Sequence, residues 1–473
     1  MRTAVLVSVL ATVVVHASAG MEPGSLALTN ATVVDIRTGR LLRAQTIVIT
    51  GDRITALSRR GEIPSHAKVI NAAGRYVIPG FWDMHVHALW STDQVQRMFD
   101  LFLANGITAI RDMGSPLPVD EALQWRNKVA SGAVLGPRIF MAGKLVDGPI
   151  PVWPDSKAVG TEQQAREAVD DLHNHGVDFI KVYSRLPRAA YFGVAAEAKK
   201  DGLAYVGHVP IYVSAGEASA AGQRSIEHLS EVLFACSSVE VDLRKQLVAT
   251  AIGAERERVR KEQLKIIIST FSEQKALRLS RIFARNDTWQ VPTLLVQYIY
   301  AFVNPYELHD SPGTRYVPAS AVTGWIDRLS TFRRMRDEND MEVQKRSYEL
   351  EIKVVRMMHS AGVHFMAGTD AETFYPGGFG LHAELALFVS AGFSPLEALQ
   401  TATLNPALFL GRIADFGAVK VGKIADLVLL EANPLEDIRN AERVAGVVTD
   451  GRYLDREKID RLLSEAAAVS NNR

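Results

Sequence analysis

The chain has 473 residues, 47% of them hydrophobic and 22% charged, with 53 basic side chains against 53 acidic ones. That length allows a large core and more than one structural unit, and the neutral balance leaves no electrostatic footprint for nucleic acid or an anionic membrane surface. Cys236 is the only cysteine, which excludes an internal disulfide. The run Ala235-Cys236-Ser237-Ser238 offers the thiol no obvious partner, so it reads as a small buried or partly exposed residue.

The N-terminus carries Met1-Arg2-Thr3 as a short positive head, an apolar run from Ala4 to Val15, and Ala17-Ser18-Ala19 as an A-x-A cleavage site. That pattern predicts a secretory signal peptide over residues 1–19 and a mature protein in the periplasm or outside the cell. No cysteine lies near Ala19, which argues against a lipoprotein anchor. No later stretch approaches the ~20 apolar residues of a membrane span.

Residues 20–79 read as short strands and tight turns. Thr32 to Ile36 and Gln45 to Ile49 are rich in β-branched residues, Gly51-Asp52 is a turn, and Arg53 to Leu57 alternates polar with apolar. No catalytic residue types gather there.

From Phe81 the rhythm becomes strand, loop and amphipathic helix, repeated. Gln94 to Ala104 places Val95, Met98, Phe99 and Phe102 on one helical face. The predicted strands then fall at Ile107–Asp112, Arg138–Ala142, Val177–Tyr183, Leu203–His208, Ser225–His228, Gln290–Val296 and Val363–Asp370. Counted with the strand that opens at Phe81, they make about eight, the number a (β/α)₈ TIM-like barrel requires, and their alternation with helices predicts parallel pairing. The barrel is expected over residues 80–405. Lys144 to Gly160 interrupts it as a long Pro/Gly-rich loop containing Trp153. Leu243–Ala284 and Ala319–Ser360 are charged helical segments that lengthen the wall and could form a lid or a contact between copies of a homo-oligomer.

Past Asn405-Pro406 the pattern returns to strands. Ala418 to Leu430 reads as strand-turn-strand and Arg443–Thr449 as another strand, followed by a polar helix over Glu457–Val469. Residues 406–473 are expected to rejoin 20–79 in one small β-sandwich domain made from both chain ends.

The chemistry concentrates at strand ends. His85 and His87 stand two apart after the apolar Tyr76-Val77-Ile78, so on an extended strand they share a side, and paired imidazoles are half of a site for Zn²⁺ or a similar ion. Lys181, His208, His228 and Asp370 each sit near the C-terminal end of a predicted strand, the rim where barrel active sites are built. Taken singly, each has a structural reading: a satisfied core histidine, or an aspartate capping the next helix. Lys181 is the most telling, because an amine at the inner end of an apolar strand is costly unless neutralised or paired.

The order His-x-His, Lys, His, His, Asp resembles the binuclear metal site of the amidohydrolase superfamily. Pro79 to His87, Gly106 to Asp112, Glu227-His228 and Ala367 to Asp370 are similar to its imidazolonepropionase-like branch, which includes prolidase-like dipeptidases (Xaa-Pro and Xaa-Arg) and ochratoxin-cleaving amidases. The likeness runs from about Asn30 to about Gly451. It implies two divalent ions, Zn²⁺ by default, with CO₂-carboxylated Lys181 bridging them. It also implies that His85, His87 and Asp370 hold the more buried ion, that His208 and His228 hold the other, and that Asp370 is general base to a hydroxide the ions share.

The resulting expectation is an exported binuclear metal-dependent hydrolase that cleaves the amide bond of a dipeptide or N-acyl amino acid. A lactonase or cyclic-amide hydrolase is the alternative, and a non-catalytic scaffold a remote one. Tyr183, two residues beyond Lys181, shares its inward face and could hydrogen-bond the substrate carbonyl; packing within the barrel is its competing role. Arg111 reads as half of a structural ion pair, His382 and Glu384 as a solvated helix start, and His173 and His175 as the end of an outer helix.

Overall fold

The computed structural model describes residues 24–471, and the expected signal segment lies outside them. Five strands open the chain: β1 (Ser25–Val34), β2 (Leu41–Thr50), β3 (Arg53–Ser58), β4 (Lys68–Asn71) and β5 (Tyr76–Pro79). Nine short ones follow: β6 (Phe81–Val86), β7 (Ile107–Asp112), β8 (Arg138–Met141), β9 (Leu145–Asp147), β10 (Lys157–Ala158), β11 (Phe179–Val182), β12 (Ala204–Gly207), β13 (Ser225–Glu227) and β14 (Trp289–Val291). The chain closes with β15 (Leu427–Leu430), β16 (Val444–Thr449) and β17 (Arg452–Leu454).

β1–β5 and β15–β17 form one sheet in the order β17-β16-β15-β5-β1-β2-β3, with β4 beside β1. The two chain ends meet where Leu427 pairs with Pro79 and Val428 with Ile78, antiparallel. Side chains alternate faces along these strands. Leu28, Val33, Ile47, Val77, Leu427 and Leu429 pack as a cluster of their own. Val34, Ile78, Val428, Leu430 and Val447 turn the other way and join the main core of the central strands and helices. Both faces are therefore buried, and register follows from the alternation. Of the strand-turn-strand expected over Ala418–Leu430 only β15 is a strand; the earlier half contributes a single bridge, Ile424 to Arg53.

The central strands pair in parallel as β6-β7-β8 and as β10-β9-β11-β12-β13-β14, with helices between them. Residues 363–371 hydrogen-bond on both sides without forming a regular ladder. Met366 N donates to Gln290 O at 3.0 Å, Met84 N to Ala367 O at 2.9 Å and His87 N to Ala371 O at 2.9 Å. β14 is shorter than expected: Pro292 offers no amide hydrogen and Thr293 takes φ 48°, so the chain turns into the helix Leu294–Phe302.

Apolar side chains fill the interior below the strand ends, where Met84, Phe179, Val206, Trp289, Val291 and Met366 pack together. Two glycines let the ligand-bearing segments approach closely. A Cβ on Gly368 would stand 2.7 Å from His85 Cβ, and one on Gly207 would meet Val182 O at 2.2 Å. The charged segments form the helices Glu240–Ala249, Ala254–Ser269 and Glu273–Asn286 in one case and Ala319–Arg334 and Glu338–Ser360 in the other. Lys261 and Lys265 of the first both reach Asp340 of the second, at 2.8 and 2.9 Å.

Candidate metal centre

The six residues predicted as ligands, distant in sequence, converge at the C-terminal strand ends. His85 Nε2 and His87 Nε2 lie 3.4 and 3.2 Å from Asp370 Oδ1. Donor atoms of His85, His228 and Asp370 all fall within 4.8 Å of one another. The His228 ring is 4.5 Å from that of His85 and 5.0 Å from that of His208, centroid to centroid. Lys181 is fully buried on β11.

The local backbone accounts for the aim of these side chains. Met84 packs in the interior cluster and Val86 in the outer one, and the pairing of β6 with β7 is irregular between Asp83 and Val86. That irregularity turns Met84 and His85 successively inward. His228 and Asp370 sit at φ 57° and 54°, a left-handed region that non-glycine residues seldom occupy. Asp83 pins the segment opposite β6 by accepting from Thr369 N at 3.0 Å and Thr369 Oγ1 at 2.6 Å. Burial pushes the Asp83 carboxyl up to about 7 against those bonds.

All four imidazoles have their Nδ1 engaged, which leaves Nε2 for the centre. His85 Nδ1 donates to Glu227 Oε2 at 2.8 Å and His87 Nδ1 to Gly114 O at 2.6 Å. Thr293 Oγ1 gives its own proton to Pro292 O and so accepts from His228 Nδ1, at 2.7 Å. His208 Nδ1 lies 2.7 Å from Ser184 Oγ. Glu227 is in turn held by Arg111, whose Nη2 is 2.9 Å from each carboxylate oxygen, while Arg111 Nε donates to Met84 O at 2.6 Å. Outer partners of this kind fix tautomer and ring orientation for metal ligands.

Three buried polar atoms at the centre, His85 Nε2, His208 Nε2 and Lys181 Nζ, have no hydrogen-bond partner. An unmatched buried nitrogen is expensive, and three facing one point fit a cation-binding donor set of imidazole nitrogen and oxygen. The electrostatics agree. Burial, with Lys181 and His228 nearby, holds His85 well below the usual imidazole range, and burial with Lys181 does the same for His208. His228 is lowered to about 4, chiefly by burial. Burial would raise Asp370, yet the side chain of His87 and the charges of His228 and His85 hold it well below the ordinary carboxylate range. His87 is raised, because Asp370 outweighs its burial. Burial lowers the Lys181 amine to about 8, more than Glu227 and Asp370 can offset.

Tyr183 stacks on His208 with centroids 4.0 Å apart, and its Oη accepts from Trp153 Nε1 at 3.1 Å. The loop carrying Trp153 is tied down by Asp147, which accepts from Val152 N at 2.8 Å and Arg185 N at 2.7 Å. Arg111 makes the buried ion pair with Glu227 that a structural role predicts. His382 and Glu384 are not a solvated helix start, since both are buried. Glu384 accepts from Leu294 N and Leu295 N, each at 2.8 Å, and so holds the helix that follows Thr293. An apolar helix carrying one acid was the available signal, and only the tertiary contact explains it. His173 and His175 end the helix Glu162–His175, away from the centre. Cys236 is buried, and burial pushes its thiol up to about 12, which makes it unreactive. Thr293, Ser184, Asp83 and Glu227 were not singled out from the sequence as functional.

With this geometry in hand, comparison with known proteins gives the class. The amidohydrolase family model matches residues 76–454, and the chain belongs to that family. It is therefore a hydrolase of amide bonds, of the prolidase and ochratoxinase branch. The chain is similar to ochratoxinase of Aspergillus niger, 24% identical over 430 residues that cover 85% of this chain and 80% of that protein. Bottromycin amidohydrolase shares the fold with a TM-score of 0.74 at 22% identity, covering 94% of this chain and 90% of that one. So does a Xaa-Pro dipeptidase with methionine bound in its active site, at TM-score 0.66 and 20% identity over 91% of this chain and 100% of that one. Relatives of this family imply a TIM-like barrel. Among the described residues, no helix is long and apolar enough to cross a membrane.

Proposed function

We propose that the chain is an exported, binuclear metal-dependent amidohydrolase that cleaves a dipeptide or N-acyl amino acid. The observation that carries this reading is the set of inward nitrogens at His85, His208 and Lys181 that no protein group satisfies, beside a carboxylate kept ionised at Asp370. His85, His87 and Asp370 would hold one ion, and His208 and His228 the other. Lys181, carboxylated, would bridge. Two bound divalent ions supply carbonyl polarisation and a water acidic enough to attack near neutral pH.

The rest is done by the chain. The Lys181 amine, lowered to about 8, is present in part as the free base that adds CO₂, forming an N–C bond and releasing a proton. Asp370 takes the proton of the attacking water and passes it to the departing nitrogen, while Thr373 Oγ1, 3.0 Å from its Oδ2, orients the carboxylate. Tyr183 accepts from Trp153, which leaves its own proton free to hydrogen-bond the substrate carbonyl. Residues 363–371, bonded to β6 on one side and β14 on the other, support a closed eight-stranded barrel over residues 80–405. The sheet shared by both chain ends supports the paired end domain of 20–79 and 406–473. The head, apolar run and A-x-A site of residues 1–19 support removal of a signal peptide and a periplasmic or secreted enzyme.

The test is metal analysis together with a panel of dipeptides and N-acyl amino acids in bicarbonate buffer. The expected result is about two ions per chain and amide hydrolysis that Asp370→Asn lowers at least about 10³-fold in kcat. A protein that binds no ion and cleaves no member of the panel would overturn the reading. Activity confined to a parallel set of lactones would give the site to ring esters instead.

A further inference from the structure

The candidate metal centre lies where two cavities meet. The wider, about 920 Å³, is walled by Trp90, Trp153, Tyr300 and Arg328. The narrower, about 560 Å³, runs beside the inserted helices Ala254–Ser269 and Glu338–Ser360. Tyr183, His208 and His228 line both. A substrate whose reacting bond sits at those three residues places one half in each cavity.

The cavities differ in the charge they leave uncommitted. In the narrower one Glu231 is taken by Arg244 at 3.0 Å and Arg260 at 3.3 Å, and Asp340 by the two lysines that bridge the inserted helices. In the wider one Arg328 is the single lysine or arginine among the lining residues, and it forms no ion pair with any described residue. Of the acids lining that cavity, Glu372 is bound by Arg97 at 3.0 Å, Asp370 belongs to the centre, and Asp155 acts on Lys144. The body of this cavity is aromatic. The Trp90 and Trp153 rings meet edge to face at 6.1 Å, and Trp153 is tied to Tyr183 by its indole N–H. Tyr300 feels the charge of both Asp370 and Arg328, so one phenol connects the metal centre with the guanidinium.

We propose that the wider cavity takes the carboxylate-bearing half of the substrate, an aromatic or long apolar amino acid, with Arg328 as the ion-pair partner of its carboxylate. The proposal rests on the amide-hydrolase reading above and assigns that site a direction and a side-chain class. A guanidinium stays charged at every working pH and presents a planar fork that matches a carboxylate. Flat indole and phenol faces bury an aromatic side chain at little entropic cost. Arg328 comes from the inserted helix Ala319–Arg334, which gives that segment a role in specificity.

The metal-loaded enzyme is assayed with N-acetylphenylalanine, its carboxamide and N-acetylglycine. Binding of free phenylalanine is measured separately by calorimetry. Arg328→Met is expected to raise KM for N-acetylphenylalanine about tenfold more than for the carboxamide, with kcat for the acid changed less than about twofold. Arg328→Lys recovers part of the loss, and phenylalanine affinity falls with Arg328→Met in proportion. Trp153→Ala weakens N-acetylphenylalanine more than N-acetylglycine. Equal effects of Arg328→Met on acid and carboxamide, or a wild-type enzyme indifferent to the carboxylate, would overturn the proposal. A chain that cleaves no amide yet binds phenylalanine through Arg328 would sink the hydrolase reading and leave this one standing.

Discussion

The sheet built from the chain ends and the ring of strand ends at the metal centre follow opposite rules. In the sheet each side chain agrees with its position: Leu427 and Leu429 pack one way, Val428 and Leu430 the other. At the centre almost every local preference is overridden. His228 and Asp370 take left-handed backbone, Lys181 has no hydrogen-bond partner, and Arg111 and Glu227 are charges with no access to water. The sheet is stable on its own terms, whereas the centre keeps its arrangement because packed strands and outer hydrogen bonds over-determine it. What looks unfavourable there is what leaves nitrogen and oxygen donors free for a cation.

Three substitutions sharpen that contrast. The largest effect belongs to Glu227→Gln, which strands the fully buried Arg111 guanidinium and loosens His85. The expected cost is about 3–5 kcal/mol in denaturant unfolding, with metal affinity 10–100-fold weaker by competitive titration, of the order found for outer-shell partners. A variant with unchanged affinity would break the link between the buried pair and the donor set. Next comes Leu28→Ala in the sheet. It should cost about 2–5 kcal/mol for the cavity it leaves, with kcat of the surviving folded enzyme unaltered. A fall in kcat would mean the two regions are coupled.

The smallest effect concerns pH. Burial raises the Glu384 carboxyl from 4.5 to about 8 even though two backbone N–H groups bond to it. Folding therefore takes up a proton between those values. The stability this contributes is complete below pH 4.5 and lost as pH rises through about 8. Glu384→Gln should flatten that slope by about 1–2 kcal/mol. An unaltered pH profile of unfolding would show that the acid titrates normally.

How much of this could be read beforehand depends on whether a signal is local. Alternation of strand and helix and the two-residue spacing of His85 and His87 are local, so the parallel core and the paired imidazoles were legible. The single acid in an apolar helix at Glu384 was legible as an oddity but not as a brace, since Leu294 and Leu295 lie 90 residues away or nearly so in sequence. Thr293 and Ser184 are unremarkable hydroxyls until the fold sets them beside His228 and His208. β14 was drawn too long because the apolar run continues through Leu294–Val296, and only the left-handed turn at Thr293 shows where extended backbone ends.

The seam between β5 and β15 has a consequence for biogenesis. During synthesis the ribosome releases β1 to β5 long before β15 exists, so the β5 edge waits unpaired through the making of about 350 residues. A bare strand edge invites association with other chains. Truncation just short of Leu427 should leave a product that aggregates although every predicted metal ligand is present in it.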